Sequence, residues 1–380
     1  MKRPAVEVAD LLQAQGDRFI EKNRTWLSYQ QLSVLRALKN CRTAALGGHV
    51  DRCSNCGHQA ISYNSCRNRH CPKCQAQARQ RWLDARQQEL LGVTYFHVVF
   101  TLPQELNPLC ERQPALLYNL LFRASAETMI EVAADPKHLG AHIGFLSILH
   151  TWGQNLSLHP HVHCVVPAGG FSLDRERWVH PQYVFFLPVK VLSRVFRGKF
   201  LARLRRAYQC KKLTCSSFRS LMHKLFRQDW IVYAKPAFGG PEAVLRYLGR
   251  YTHRVAISNH RLVSFDGERV TFRWKDYAHG NQQRLMTLHA TEFLRRYVQH
   301  VLPRGFVRIR HYGYLANICR DDALTLGRKL IGFTPKPREA DSVSAIEAPW
   351  KCPACGGAMQ LGPILTAAEL ALQCLRFDTS

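Results

Sequence analysis

The sequence predicts an α+β protein in which a small helical, cysteine-rich domain precedes a larger domain of mixed helices and strands. Apolar residues recur at helical spacing across residues 6–40. Six cysteines follow between Cys41 and Cys74. From residue 92 onward, short strand-like apolar runs alternate with helical periodicity. We therefore expect one domain at 1–91, a second at 92–334, and a linker with a short tail at 335–380.

The composition points to a nucleic-acid partner. The chain of 380 residues carries 53 Lys and Arg against 27 Asp and Glu, a formal net charge of +26. Such a surplus implies a polyanion, of which DNA is a common example. There is no apolar run of about 18 residues and no apolar signal region, so we expect a cytoplasmic protein, near nucleoid DNA, without a membrane partner. In that reducing compartment, 14 cysteines favour metal thiolates over disulfides.

The individual elements follow from periodicity and turn residues. We expect two N-terminal helices around a polar stretch at 16–25, and a long basic helix at 75–91. Helical periodicity returns at 104–140 and 187–212. Asp266-Gly267 is a hairpin signal between two short runs. The predicted strands are 95–101, 143–150, 158–166, 261–265 and 269–274.

Two C-x-x-C pairs predict a structural zinc site. Cys53 and Cys56 form the first pair, Cys71 and Cys74 the second, and 14 residues separate them. This spacing allows four thiolates to surround one tetrahedral Zn²⁺. We therefore expect these four cysteines to share one ion.

Further ligand candidates lie among and beyond these pairs. A second zinc in an interleaved arrangement would use Cys41, His49, Cys66 and His70. Alternatively, the two cysteines are small core residues and the two histidines contact phosphate. Arg67 and Arg69 place positive charge here, which favours DNA contact. Each C-x-x-C pair is a zinc knuckle, and Cys352-x-x-Cys355 is a third one. It supplies only two of four ligands, so Cys374, Cys319 or His311 would have to complete its site.

A strand with alternating histidines predicts a second kind of metal centre. His159, His161 and His163 project from one face if this segment is a strand. Burying adjacent imidazoles is costly unless a metal or a hydrogen-bond network satisfies them. We expect His161 and His163 to bind catalytic Mg²⁺ or Mn²⁺, with Gln154 as the third ligand inferred from spacing. His159 and His150 are the competing third ligands.

A predicted helix that starts at residues 239–242 carries two tyrosines. Tyr247 and Tyr251 are spaced i, i+4, so both lie on one side, at the border between an apolar and a basic stripe. The basic stripe comprises Arg246, Arg250 and Arg254, which we expect to contact DNA. A tyrosine at this border is either an ordinary boundary residue or a nucleophile assisted by a nearby metal.

The motifs together resemble the insertion-sequence-91 family of transposases, relatives of the HUH rolling-circle proteins. The matching segments cover residues 41–49, 64–74, 96–103, 150–154, 159–163, 247–251 and 308–313. The resemblance implies that His161 and His163 are the two histidines of the HUH motif, around the hydrophobic Val162. It also implies that Tyr247 and Tyr251 are paired nucleophiles, and that the larger domain is an HUH endonuclease fold, a central antiparallel sheet with flanking helices.

This resemblance predicts an enzyme that nicks and rejoins single-stranded DNA through a covalent 5′-phosphotyrosine, acting on the ends of a mobile element and on target DNA. A replication initiator or relaxase would use the same chemistry, but the N-terminal zinc module favours a transposase. The alternative from another class is a non-catalytic zinc-ribbon DNA-binding protein, in which the histidine strand is structural.

Overall fold

The computed structural model describes residues 4–182, 186–236, 243, 249, 256–277, 279–334, 350–370 and 372. Its helices are α1 (Val8–Lys22), α2 (Tyr29–Lys39), α3 (Gln75–Gln87), α4 (Asn107–Arg112), α5 (Pro114–Ala134), α6 (Val189–Gln209), α7 (Phe218–Arg227), α8 (Ala290–Val298) and α9 (Arg320–Ile331).

The first eight strands are β1 (Gly48–Cys53), β2 (Gln59–Tyr63), β3 (Tyr95–Thr101), β4 (Gly144–Trp152), β5 (Leu158–Pro167), β6 (Gly170–Phe171), β7 (Trp178–Val179) and β8 (Val232–Pro236). The remaining strands are β9 (Leu262–Phe265), β10 (Arg269–Asp276), β11 (Gln282–His289), β12 (Ile309–Gly313), β13 (Met359–Gln360) and β14 (Ile364–Leu365).

A five-stranded antiparallel sheet forms the centre of the larger domain. Its order is β12-β4-β5-β3-β8, so the histidine strand β5 is the middle strand. Val98, Phe100 and Val162 are fully buried on one face of this sheet, in a core shared with α5 and α6. The predicted α+β class, with a central antiparallel sheet and flanking helices, is confirmed.

The opposite face carries the histidines beside a smaller apolar cluster. Residues directly opposite each other in an antiparallel pair project from the same face, and His163 pairs with Ile148. Ile148 and Val165 pack in this cluster with Leu324 of α9 and, at its border, Trp82 of α3. The histidine face is therefore partly covered by α3 and α9.

The N-terminal helices do not pack by themselves. Their apolar stripes, including Leu11 and Leu35, share a core with Phe272 of β10 and Phe293 of α8. The expected polar break around Gly16 differs from the structure, because α1 runs through that glycine, which is buried. The helix starts at a capping box between Glu7 and Asp10, and the true break lies after Lys22.

The tail joins a small sheet near the start of the chain. β1 pairs with β2 and also with β13 and β14, all antiparallel. The segment 350–370, for which the sequence predicts a short tail, thus contributes two strands to the sheet of the cysteine-rich module. None of the helices described has the length and apolar character needed to span a bilayer.

Candidate functional site

Three histidines from two adjacent strands meet on the histidine face. His150 of β4 pairs with His161 of β5, and His163 is two residues further along β5. The ring centroids of His150 and His163 are 4.3 Å apart, and those of His161 and His163 are 4.8 Å apart. Their nearest ligand nitrogens all lie within 4.8 Å of one another. The group can therefore converge on one cation.

Hydrogen bonds and burial prepare His161 as a ligand. Its Nδ1 lies 2.6 Å from the backbone carbonyl of His159. A carbonyl oxygen only accepts, so Nδ1 carries the proton and Nε2 keeps its lone pair. Burial lowers the pKa of His161 to about 3, with the positive charge of a protonated His159 as a smaller cause. Burial also lowers the pKa of His163 well below its ordinary value. Both imidazoles are therefore neutral near pH 7, the form that binds metal.

His97 contacts this site, although the sequence analysis assigned it no role. It lies on β3, on the other side of β5, and its Nε2 is 2.7 Å from His163 Nδ1. The two rings are nearly parallel, with centroids 5.0 Å apart. With the shared proton on His163 Nδ1, His163 Nε2 is the ring nitrogen whose lone pair can bind a cation. Strand alternation could have put His97 on one face, but the β3–β5 register was needed to bring the two rings together.

For the third ligand beside His161 and His163, the structure favours His150 over Gln154, the ligand inferred from spacing. His150, one of the competing ligands, lies with His161 and His163. Gln154 lies in the turn between β4 and β5, where its backbone carbonyl accepts from Arg261 Nη2 at 2.5 Å; its side-chain role stays a prediction. His159 contributes its carbonyl to the site, and its own side chain is exposed.

The first of two thiol clusters consists of Cys41, Cys66, Cys71 and Cys74. Cys41 Sγ is 3.4 Å from Cys74 Sγ and 3.5 Å from Cys71 Sγ. A tetrahedral ion with Zn–S bonds of about 2.3 Å separates its sulfurs by about 3.8 Å, close to these distances. Cys41 follows α2 and Cys74 precedes α3, so this cluster joins two helices.

The second cluster corrects the predicted grouping of the knuckles. Cys53 and Cys56 lie with Cys352 and Cys355, whereas Cys71 and Cys74 belong to the first cluster. The expectation that Cys53, Cys56, Cys71 and Cys74 share one ion is therefore wrong. β1 pairs with β13, with Cys53 opposite Met359, and this pairing brings the Cys352-x-x-Cys355 segment next to Cys53. Sequence spacing could not show this pairing, because the two knuckles are separated by about 300 residues.

The two histidines of the interleaved scheme are not in either thiol cluster. His49 lies on β1, where it pairs with Ser62 and Ile364. His70 is buried, and its Nε2 accepts from the backbone N–H of Leu302 at 3.1 Å. Burial is the main cause that lowers the pKa of His70 to about 3. His70 therefore acts as a neutral hydrogen-bond acceptor between the first cluster and the segment after α8.

The two predicted arginines of the module differ in environment. Arg67 is exposed and has a left-handed backbone, with φ of 48°. The Arg69 guanidinium instead donates to the carbonyls of Phe306 and Pro303, at 2.7 and 3.1 Å. Arg67 thus has the accessibility that a DNA contact requires, and Arg69 is engaged in holding two segments together.

The helix predicted to carry the two tyrosines lies mostly outside the described residues. Tyr247 and Tyr251, and the stripe Arg246, Arg250 and Arg254, are among the residues on which the structure makes no statement. Gly249, between the tyrosines in sequence, is described as helical and buried. A methyl group added there would lie 2.6 Å from Leu83 Cδ2 of α3, so the backbone at this glycine packs closely on that helix.

Comparison with known proteins gives the family. Residues 11–102 match the family described as "Transposase zinc-binding domain", and residues 144–322 match the family described as "Putative transposase". The chain is 50% identical over 375 residues to "Putative transposase y4qJ" of Sinorhizobium fredii, covering 93% of this chain and 94% of that protein. It is 31% identical over 346 residues to "Transposase for insertion sequence element IS801" of Pseudomonas savastanoi pv. phaseolicola, covering 87% and 82%.

No solved structure matches the chain. The zinc-binding domain match and the thiol clusters agree on Zn²⁺ as the structural metal. A transposase acts on DNA, which accounts for the net charge of +26. The two domain matches and the two relatives show that the chain belongs to the insertion-sequence-91 family of transposases.

Proposed function

We propose that this transposase nicks and rejoins single-stranded DNA by the HUH rolling-circle mechanism, with Tyr247 and Tyr251 as nucleophiles. The observation that carries the proposal is the group of His150, His161 and His163 on the central antiparallel sheet, with nitrogens close enough to share one cation. The ligand nitrogens of these three rings lie within 4.8 Å of one another, and His161 and His163 are neutral near pH 7, as metal-binding imidazoles must be.

The residues present fit a divalent cation. His150, His161 and His163 would hold it, and Gln154 could add an oxygen ligand from the adjoining turn. We expect Mg²⁺ or Mn²⁺, of which Mn²⁺ suits a nitrogen-rich donor set better, because Mg²⁺ prefers oxygen ligands. When bound, such an ion polarises the scissile phosphate and offsets the charge that develops on its oxygens.

The chemistry at the tyrosine is a transesterification. The phenol oxygen of one tyrosine attacks phosphorus, the bond from phosphorus to the 3′ oxygen breaks, and the phenolic proton is transferred, directly or through water, to that leaving oxygen. The products are a free 3′ hydroxyl and a 5′ phosphate esterified to tyrosine. Because one phosphodiester replaces another, the reverse attack rejoins a strand without ATP.

Two tyrosines allow two strands to be handled in turn. While one holds a 5′ end, the other is free for a second cleavage, as strand transfer requires. Gly249, between them in the sequence, packs against Leu83. The neighbouring Trp82 packs at the border of the cluster on the histidine face. These contacts support placing the tyrosine segment on the same side of the sheet as the histidines.

The DNA partner is proposed to be the single-stranded ends of the element and the target strand. Arg246, Arg250 and Arg254 would hold phosphates near the tyrosines, and the exposed Arg67 would contact DNA at the zinc module. Arginine suits this role because its planar guanidinium binds phosphate bidentately.

Cleavage of an end-labelled single-stranded oligonucleotide from the element's own end, with Mn²⁺, tests the proposal. We expect Tyr247→Phe and Tyr251→Phe each to prevent transposition, and the double variant to form no covalent adduct. His161→Ala and His163→Ala should abolish cleavage and leave strand binding largely intact, because affinity depends mainly on the basic surface.

Mass spectrometry of the trapped peptide should map the adduct to Tyr247 or Tyr251, with the DNA 3′ of the nick attached. A phosphoserine adduct, or an adduct that persists in the double phenylalanine variant, would refute the assignment of the nucleophiles. Cleavage at the normal rate by the double His161→Ala, His163→Ala variant would refute the assignment of the metal site.

A further inference from the structure

We propose that Cys53, Cys56, Cys352 and Cys355 bind a second structural Zn²⁺, which fastens the tail of the chain to the N-terminal module as one zinc ribbon. The residues matched as a zinc-binding domain end at 102, so two of these four ligands lie far outside it. We call this group the ribbon cluster. It is distinct from the first cluster, which uses four other cysteines.

The two knuckles of the ribbon cluster have the same local structure. The N–H of Cys53 donates to the carbonyl of His58 at 2.8 Å, and the N–H of Cys352 donates to that of Gly357 at 2.8 Å. A second bond closes each turn: Gly57 N–H donates to Cys53 O at 3.1 Å, and its counterpart Gly356 N–H donates to Cys352 O at 2.9 Å.

Both closing glycines have φ of 74°, a left-handed conformation that favours glycine. In each knuckle a backbone N–H also points at a sulfur. Asn55 N–H lies 3.4 Å from Cys53 Sγ, and Gly357 N–H lies 3.4 Å from Cys355 Sγ. Amide donors stabilise thiolate over thiol. Two matching turns, each of which presents a backbone amide to a cysteine sulfur, are a structure suited to a metal.

The sulfur distances fit zinc and do not fit disulfides. Cys53 Sγ is 3.5 Å from Cys355 Sγ, and Cys56 Sγ is 3.7 Å from Cys352 Sγ. A disulfide requires about 2.05 Å, and the sulfurs around a tetrahedral Zn²⁺ are about 3.8 Å apart. All four sulfurs lie within 4.8 Å of one another. Four thiolates in this arrangement form a closed structural site.

Contacts away from the sulfurs also hold residues 350–370 against β1 of the N-terminal module. The buried carboxylate of Asp51 on β1 accepts from Trp350 Nε1 at 3.0 Å and from Gly362 N–H at 3.3 Å, both in the tail. Ser62 Oγ donates to the same carboxylate at 2.5 Å. A side chain at residue 362 would collide with the Val50 carbonyl, so the glycine permits close approach of the tail to β1.

Zinc analysis of the full-length protein tests the site. We expect two zinc ions per chain in protein freed of loosely bound metal by gel filtration, and one in the Cys352→Ser, Cys355→Ser double variant. Cys210→Ser is the matched control, because Cys210 is exposed and belongs to neither cluster; it should keep two. Two ions in the double serine variant, or disulfides mapped among the four cysteines of freshly purified protein, would overturn the proposal.

A cut in the chain gives a second test that does not depend on how the serine variant folds. A recognition sequence for a site-specific protease, inserted between residues 341 and 342, allows the folded protein to be cleaved. The tail fragment should stay bound through gel filtration in high salt and leave after treatment with a strong zinc chelator. A fragment that leaves with zinc present, or one that stays after all zinc is removed, would contradict a zinc-dependent attachment.

Discussion

His97 shows how a residue without a predicted role can control a site. Its Nε2 is 2.7 Å from His163 Nδ1, and burial lowers the pKa of His97 to about 4, so the pair is neutral at pH 7. A partner at this position sets which nitrogen of His163 carries the proton and how its ring is oriented. His97 is thus a positioning residue for the proposed metal site.

We expect His97→Phe to weaken Mn²⁺ binding about 10- to 100-fold, the range typical for loss of such a partner, and His97→Gln to recover part of it because an amide oxygen can still accept. Titration calorimetry with Mn²⁺ measures this. His159→Ala is the control, since its backbone carbonyl, which fixes His161, is retained. Equal Mn²⁺ affinity in His97→Phe and the wild-type protein would exclude the positioning role.

The sequence was sufficient to predict which histidines of one strand share a face. It was not sufficient to predict which residues of neighbouring strands lie beside them. His161 and His163 were predicted because strand periodicity alone places them on one face. The contribution of His150 depended on the β4–β5 register, so it was one of several alternatives. The same reason explains the wrong zinc grouping: a C-x-x-C spacing identifies a half-site, and only the fold identifies which half-site completes it.

At the scale of elements, α6 shows which interactions matter for stability. Phe196 and Phe200 are fully buried, and their rings pack against Phe100 of β3 and Trp230. In the same helix, Lys199 Nζ lies 2.5 Å from Glu131 Oε2 of α5, with side chains 24% and 60% exposed. Such an exposed ion pair contributes little, whereas the buried ring leaves a cavity when it is removed.

We therefore expect Phe200→Ala to lower the free energy of unfolding by about 3–5 kcal/mol and Lys199→Ala by less than about 1 kcal/mol. Urea unfolding followed by circular dichroism compares the two in the same helix. A larger loss from Lys199→Ala than from Phe200→Ala would mean that the α5–α6 contact depends on charge.

Elements with strong patterns were predicted closely. The strand expected at 95–101 is β3 with the same bounds, because aromatic and β-branched residues form a short run that Pro103 ends. The Asp266-Gly267 turn is confirmed: Asp266 Oδ1 accepts from the N–H groups of Glu268 and Arg269, at 2.9 and 2.6 Å. β13 and β14 were missed, since strands of two residues have too few positions for any period.

At the scale of the whole molecule, His300 links the segment after α8 to the end of β4 and to the turn between β4 and β5. Thr151 Oγ1 at the end of β4 lies 3.2 Å from its Nδ1, and the Leu156 carbonyl lies 3.1 Å from its Nε2. Because the carbonyl only accepts, Nε2 is the protonated nitrogen and Nδ1 accepts from the threonine hydroxyl. Burial lowers the pKa of His300 to about 4.

This pKa predicts acid sensitivity. The unfolded chain binds a proton at this imidazole below about pH 6.5, whereas the folded protein does not until about pH 4. The unfolded state therefore binds more protons in this window, and stability falls as pH falls through it. His300→Gln should show a shallower decline between pH 6.5 and 4.5 in urea-unfolding midpoints. Parallel declines in the two proteins would show that this group does not contribute.

The composition of the sequence was only partly sufficient to predict which segments pack together. A change of character near residue 92 is visible in the sequence, but the N-terminal helices share their core with residues 256–301, and the tail shares a sheet with β1. The periodicity of each segment shows that it has an apolar face, but it does not show which distant segment packs against that face.

The pairing of β1 with the tail also has a consequence for synthesis. A ribosome makes Cys53 and Cys56 early, but their two partner cysteines emerge only after every strand of the central sheet has been translated. The ribbon can therefore close only after residue 355 has been synthesised. A message truncated between residues 334 and 350 would yield a protein with the histidine strand, Tyr247 and Tyr251 but without Cys352 and Cys355. We expect such a protein to contain one zinc ion fewer than the full-length chain.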